Sequence, residues 1–137
     1  MKLFLDANVI VSVLNKEYPV FTFSSRILSL KDNNGFQLYT SPLCLAIAFY
    51  FASKKSGESL AKKKIQMLSS HIQICSLDEY MSRKALSDIR VNDFEHGLQY
   101  YAALGVGCDV LVTQNKQDFY FSKIPTFDCE EFISHHF

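Results

Sequence analysis

The chain opens on an apolar run that stops abruptly at Asp6, and an apolar pattern with helical spacing then runs from Val9 to Lys16. The first run is short enough for one buried strand, and the change of period after it marks a passage from strand to helix. Glu17-Tyr18-Pro19 breaks that helix. Phe23, Ile27, Leu28 and Leu30 recur at helical spacing across Phe21 to Lys31, which closes in the turn cluster Lys31-Asp32-Asn33-Asn34-Gly35. Phe36 to Tyr39 is a short strand. Ser41 and Pro42 then supply a cap and a first helical position for a nearly all-apolar helix over Leu43 to Ser53. Lys54-Lys55-Ser56-Gly57 reads as a turn before an amphipathic helix over Glu58 to Ser69.

The second half repeats the alternation. His71 to Cys75 is a strand, and Leu77 to Ser87 a helix capped by Ser76 or Asp78. Asp88 to Asn92 is a loop, and Asp93 to Leu104 a helix ending at Gly105. Asp109 to Thr113 is a buried strand and Gln114 to Asp118 the polar loop after it. Pro125 to Phe127 is a last small strand before a C-terminal helix. Strands alternating with single or paired helices predict a three-layer α/β/α fold around a mostly parallel sheet of about five strands. Right-handed crossovers place the C-terminal strand ends along one edge, where open sheets bind ligands. Asp6, the Thr40-Ser41 turn and the Thr113 to Asp118 loop share that edge. A structural role is equally available to Asp6 and Asn8, as caps of the following helix.

Composition narrows the class. A length of 137 residues suits one domain, 1–137, and 48% hydrophobic with 20% charged residues points to a packed globular core. Fourteen basic residues against fourteen acidic ones exclude a general positive field, so any nucleic-acid contact must come from a local patch. Lysines 54, 55, 62, 63 and 64 form the dense basic cluster, read as a solvated helix face or an RNA or partner contact. Twelve Phe and seven Tyr are many for this size, which suggests a subunit interface and hence a homodimer. Phe49-Tyr50-Phe51 reads as core or dimer interface rather than a base-stacking platform. Cys44, Cys75, Cys108 and Cys129 lack the paired spacing of a zinc site or disulfide framework and read as small buried hydrophobes. No apolar run reaches membrane-spanning length or forms a signal-peptide core, so a cytoplasmic protein is expected. Gly105-Val106-Gly107 lacks the third glycine and the preceding strand of a dinucleotide fingerprint.

Carboxylates recur beside amides at both ends of the chain: Asp6 with Asn8, and Asp118 with Asn115. Between them, one helix start presents Asp93, Glu95 and His96. Carboxylates brought together repel and take up protons unless a cation sits among them, and oxygen ligands of this kind select magnesium or manganese. A metal held there activates water and stabilises charge on a phosphate during diester cleavage.

Three segments resemble one family. Leu3-Phe4-Leu5-Asp6-Ala7-Asn8-Val9-Ile10 resembles the LDTNV start of PIN domains. Val112-Thr113-Gln114-Asn115-Lys116-Gln117-Asp118-Phe119 resembles their TRNxxDF signature, and Asp93-Phe94-Glu95-His96-Gly97-Leu98-Gln99 is similar to their DFEDALQ helix. The resemblance implies the PIN-like fold and a metal-dependent ribonuclease, such as the VapC toxins of toxin–antitoxin pairs. It also implies Mg2+ or Mn2+ as cofactor, and RNA and an antitoxin protein as partners.

Carried over by position, Asp6 and Asp118 stand at the family's first and last acids, with Asn8, Thr113 and Asn115 at supporting polar positions. The second acid falls near Ile47, in a helix without any acid, and the third falls on His96. The expected catalytic set is therefore Asp6, His96 and Asp118, with Asp6, Asp118, Asp93 and Glu95 as metal ligands. Loss of two carboxylates predicts weakened metal binding and, as the alternative outcome, a PIN-like binding or regulatory module without catalysis.

Overall fold

The computed structural model describes residues 1–137. Five strands form one sheet: β1 (Lys2–Leu5), β2 (Gln37–Thr40), β3 (Gln73–Ile74), β4 (Val110–Val112) and β5 (Thr126–Phe127), in the order β3-β2-β1-β4-β5. All four pairings are parallel, so the sheet is wholly rather than mostly parallel. Around it lie α1 (Ala7–Leu14), α2 (Phe21–Ser29), α3 (Pro42–Ser56), α4 (Glu58–Ser69), α5 (Glu79–Ser87), α6 (Phe94–Gly105) and α7 (Cys129–His136). The result is a three-layer α/β/α fold. Leu3, Phe4 and Leu5 in β1 and Val110, Leu111 and Val112 in β4 are almost inaccessible to solvent, as expected of parallel strands covered on both faces.

Strand order reverses at β1: the chain moves outward through β2 and β3, then returns to lay β4 on the other side of β1. The crevice between the C-terminal ends of β1 and β4 is therefore the topological switch point of the sheet. Register makes the juxtaposition specific. Leu5 pairs with Val112, and Asp6 N–H donates to the Val112 carbonyl at 3.0 Å, so Asp6 and Thr113 are neighbours just past the strand ends.

Several boundaries differ from the sequence pattern. Helix α1 begins at Ala7 rather than Val9, because Asp6 itself is the cap. Helix α3 runs through the expected Lys54-Lys55-Ser56 turn and stops at Gly57, whose φ of 84° lies in the left-handed region. Lysines are good helix formers and suit the negative end of a helix, so only the glycine is a true stop. Asp93 is the cap outside α6 rather than its first residue, and of the two caps offered for α5 the structure takes Asp78. Strand β3 keeps two residues of the expected five, since it is an edge strand paired only with β2. Helix α2 gives way at Leu30–Asp32 to a 3-10 turn.

The basic cluster is partly structural. Lys55 donates to the Asn15 carbonyl, and Lys64 donates to the Leu14 carbonyl at 3.4 Å and to Ser56 Oγ at 3.2 Å, so both satisfy the C-terminal end of α1. All four cysteines are buried and unpaired. Phe49 packs against the core, but Tyr50 and Phe51 are 52% and 47% exposed, which removes them from the core reading. No helix is long and apolar enough to cross a membrane.

Candidate active site

The switch-point crevice opens into a cleft of about 340 Å³. Asp6, Asn8, Glu95, His96, Asn115 and Asp118 all line it, so the structure gathers most of the residues singled out from the sequence.

Asp6 is the most enclosed of them, at 7% exposure. Its Oδ1 accepts from Ala7 N–H at 2.8 Å, and its Oδ2 accepts from the Thr113 hydroxyl at 2.8 Å. The cap role and the site role thus fall on the two oxygens of one carboxylate. Thr113, fully buried, accepts in turn from Asn8 Nδ2 at 3.2 Å and from Asn115 N–H at 3.1 Å. Gln114 N–H closes the network on Asn8 Oδ1 at 3.1 Å. One hydroxyl therefore joins the β1 end to the β4 loop and fixes the direction of its own proton, since both its lone pairs are taken. Burial pushes the Asp6 carboxyl above its ordinary pKa, against the opposing pull of the Thr113 and Ala7 hydrogen bonds and the His96 charge. Asp6 takes part in no ion pair.

His96 replaces an acid in the resemblance, and its ring bridges two others. Nε2 lies 3.5 Å from Asp118 Oδ2 and Nδ1 lies 3.7 Å from Asp93 Oδ1, while the ring meets Phe119 edge-on at 5.3 Å. Asp118 sits in the 3-10 turn Lys116–Phe119, its N–H donating to the Asn115 carbonyl at 3.0 Å. Glu95 is raised above its ordinary pKa, first by desolvation and further by the charges of Asp93, Asp6 and Asp118, with His96 opposing. Asp93 stands apart: its Oδ1 accepts from the Glu95 and His96 N–H groups as the cap of α6, and it does not line the cleft.

The structure adds lining residues that the expected catalytic and metal-binding set lacks. Glu17, just past α1, lines the same cleft, and so do Ile47 and Phe51 of α3. Ile47 thus presents an apolar side chain where an acid is usual. Ser41 caps α3 by accepting from Cys44 N–H at 3.0 Å and donates to Gln99 Oε1 at 2.5 Å, tying α6 to the start of α3. Gln99 is one turn beyond Glu95 and His96, so this buried contact sets how deeply their turn sits. Cys44 Sγ lies 3.8 Å from Asp6 Oδ1; burial, then the Asp6 charge, pushes its thiol up to about 12, which leaves it inert.

The family model described as the PIN domain matches residues 2–117. The chain belongs to the PIN domain family. It is 28% identical over 135 residues to Ribonuclease VapC1 of Aquifex aeolicus, covering 96% of this chain and 92% of that protein. Among solved structures, VapBC2 of Rickettsia felis, crystallised with a DNA fragment from its promoter, superposes with a TM-score of 0.70 at 18% identity, over 93% of this chain and 98% of that one. VapBC-1 of Haemophilus influenzae gives 0.69 at 16% identity, covering 95% and 99%. VapC20 of Mycobacterium tuberculosis, a toxin that cleaves the sarcin-ricin loop, gives 0.64 at 14% identity, covering 80% and 86%.

The donors of this PIN domain cleft are hard oxygens suited to magnesium or manganese. The buried Asp6 charge, with no ion-pair partner, suits a cation as well. As folded, however, no three His, Cys, Asp or Glu side chains converge into a ready-made metal shell. The side chains present fit one loosely held cation that keeps several of its waters.

Proposed function

We propose that this PIN domain is a VapC-type endoribonuclease that hydrolyses RNA phosphodiesters, with activity reduced by the loss of two acids. The carrying observation is the buried Asp6 carboxylate, without an ion-pair partner, sharing one cleft with Glu95 and Asp118. Asp6 and Asp118 would hold Mg2+ or Mn2+, with Glu95 as the remaining oxygen donor, and the bound metal supplies an activated water and charge stabilisation at the phosphate. Thr113 and Ala7 N–H hold the Asp6 carboxylate in place. His96, beside Asp118, gives a proton from Nε2 to the leaving oxygen. Ile47 excludes a second cation from its side of the cleft.

An antitoxin is the proposed protein partner. A second cleft of about 520 Å³ suits an acidic, apolar segment, because Leu14, Leu28 and Met67 line it beside Lys16, Lys55 and Lys64. For a homodimer, the exposed Tyr80, Leu86 and Ile89 at 66%, 71% and 96% offer the apolar surface. Ile47 and His96 in place of acids favour a second reading, a PIN domain retained as a binding module without catalysis.

The two readings separate in one experiment. Manganese binding is measured by calorimetry, and RNA cleavage beside it, for wild type, Asp6→Ala and His96→Asp. The enzyme reading expects cleavage by the wild type that Asp6→Ala abolishes, and tighter manganese binding in His96→Asp. Wild-type dissociation constants at or above millimolar, with any cleavage indifferent to Asp6→Ala, leave the binding module. Unchanged manganese affinity in His96→Asp would show that position 96 does not face the cation.

A further inference from the structure

Helix α3 carries an aromatic feature that the hydrolytic chemistry does not use. Phe51 stands one helical turn beyond Ile47 on the same face and lines the cleft that holds Asp6, Glu95 and Asp118, yet it is 47% exposed. Tyr50 beside it is 52% exposed, and the two rings meet edge to face at 5.2 Å and 82°. Lys54 Nζ lies 4.3 Å from the centre of the Tyr50 ring, one turn farther along α3. Phe51 thus forms part of the cleft wall, with Tyr50 packed against it and the Lys54 cation on the Tyr50 ring. A large ring left this open at a cleft wall, with an exposed Tyr50 beside it, is not spent on the core, and a flat ligand with a negative backbone would complement both the Phe51 ring and the lysine.

We infer that Phe51, braced by Tyr50 and Lys54, is the platform on which an unpaired RNA base next to the scissile phosphate stacks. The inference rests on the ribonuclease reading and deepens it to single-stranded substrate, because a paired base keeps both faces inside its own stack. Lys54 then pairs with the phosphate flanking that base. The platform stands where the family's acid is replaced by Ile47, so apolar and aromatic contact takes the place of a ligand along this wall.

The chain has no tryptophan, so Phe51→Trp places a sole indole at the platform. In an Asp118→Asn background that cannot turn over, a short single-stranded RNA is expected to quench this indole saturably, while a blunt duplex of the same sequence is not. Phe51→Leu, which keeps the apolar volume but not the ring, is expected to weaken single-strand binding by about 5- to 150-fold, and Phe51→Tyr to restore it. Indole emission indifferent to single-stranded RNA overturns the inference, as does Phe51→Leu binding as tightly as wild type. A blue shift that grows with protein concentration in the absence of RNA also overturns it, by placing the ring between copies of the chain. If the wild type cuts RNA while the indole stays silent, only the platform fails; if the wild type neither binds nor cuts RNA, the ribonuclease reading fails and the platform with it.

Discussion

Thr113→Val tests the network that holds the candidate site, because it keeps the side-chain volume and removes one hydroxyl. That hydroxyl donates to the buried Asp6 carboxylate at 2.8 Å and accepts from Asn8 Nδ2 at 3.2 Å and Asn115 N–H at 3.1 Å. A hydrogen bond to a charged group contributes about 1.5–3 kcal/mol, and an ordinary one about 0.5–1.5 kcal/mol. Asn8 is only partly buried and Asn115 is exposed, so both can find water instead and their share lies at the low end. The expected loss is then about 2–4 kcal/mol. At roughly 4 °C per kcal/mol for a domain of this size, the melting temperature falls by roughly 8–16 °C. The carboxyl of Asp6, already pushed up by burial, rises further once its largest opposing hydrogen bond is gone, so protons compete more strongly with manganese for it. Thermal and urea denaturation of wild type, Thr113→Val and Thr113→Ser measure this, with the serine variant expected to recover most of the loss. A cost under about 1 kcal/mol in Thr113→Val would refute the view that this hydroxyl organises the two loops.

Two further predictions concern the frame around the site. Lys116 Nζ lies 2.7–2.8 Å from both carboxylate oxygens of Glu131 and holds that carboxyl down to about 2, within the capping box of α7. A depressed folded value means that the pair's contribution is complete above the unfolded value of roughly 4.3 and is lost as pH falls toward 2. Lys116→Met is therefore expected to flatten the decline of the melting temperature over that window, and parallel curves for variant and wild type would contradict it. Gly97→Ala places a Cβ 2.8 Å from Val91 Cγ1 and 3.0 Å from Ala85 Cβ, where α6 crosses α5. The helix-propensity gain of about 1 kcal/mol is outweighed by about 1–3 kcal/mol of overpacking, so urea denaturation should show a net loss, and a more stable variant would show that α6 can move outward freely.

What could be read from the chain and what could not divides along a physical line. Asp6, Thr113 and Asp118 were legible because a parallel sheet leaves little freedom at strand ends: once β1 and β4 are adjacent, the first residue past each must meet the other. Alternation of apolar runs marked both strand ends and their shared edge, whereas the adjacency of β1 and β4 comes from the observed strand order. Glu17, Gln99 and Phe51 were not legible, because their positions follow from how helices pack on the sheet, and helix spacing alone does not say which neighbour fills a groove. Gln99 reads as one polar residue among apolar ones, yet it is fully buried and ties α6 to Ser41. Phe51 reads as core or dimer interface and emerges at a cleft wall. Lys54 and Lys55 read as a turn, although nothing in a lysine stops a helix and the carbonyls ending α1 give Lys55 a partner. The same division separates frame from chemistry in this PIN domain. The edge that gathers Asp6 and Asp118 depends on backbone register, which tolerates Ile47 and His96 without change, whereas cation binding depends on the number of carboxylates that reach the cleft. A chain can therefore keep the whole fold while the acids of its cleft change, and substitutions at positions 47 and 96 test the second without touching the first.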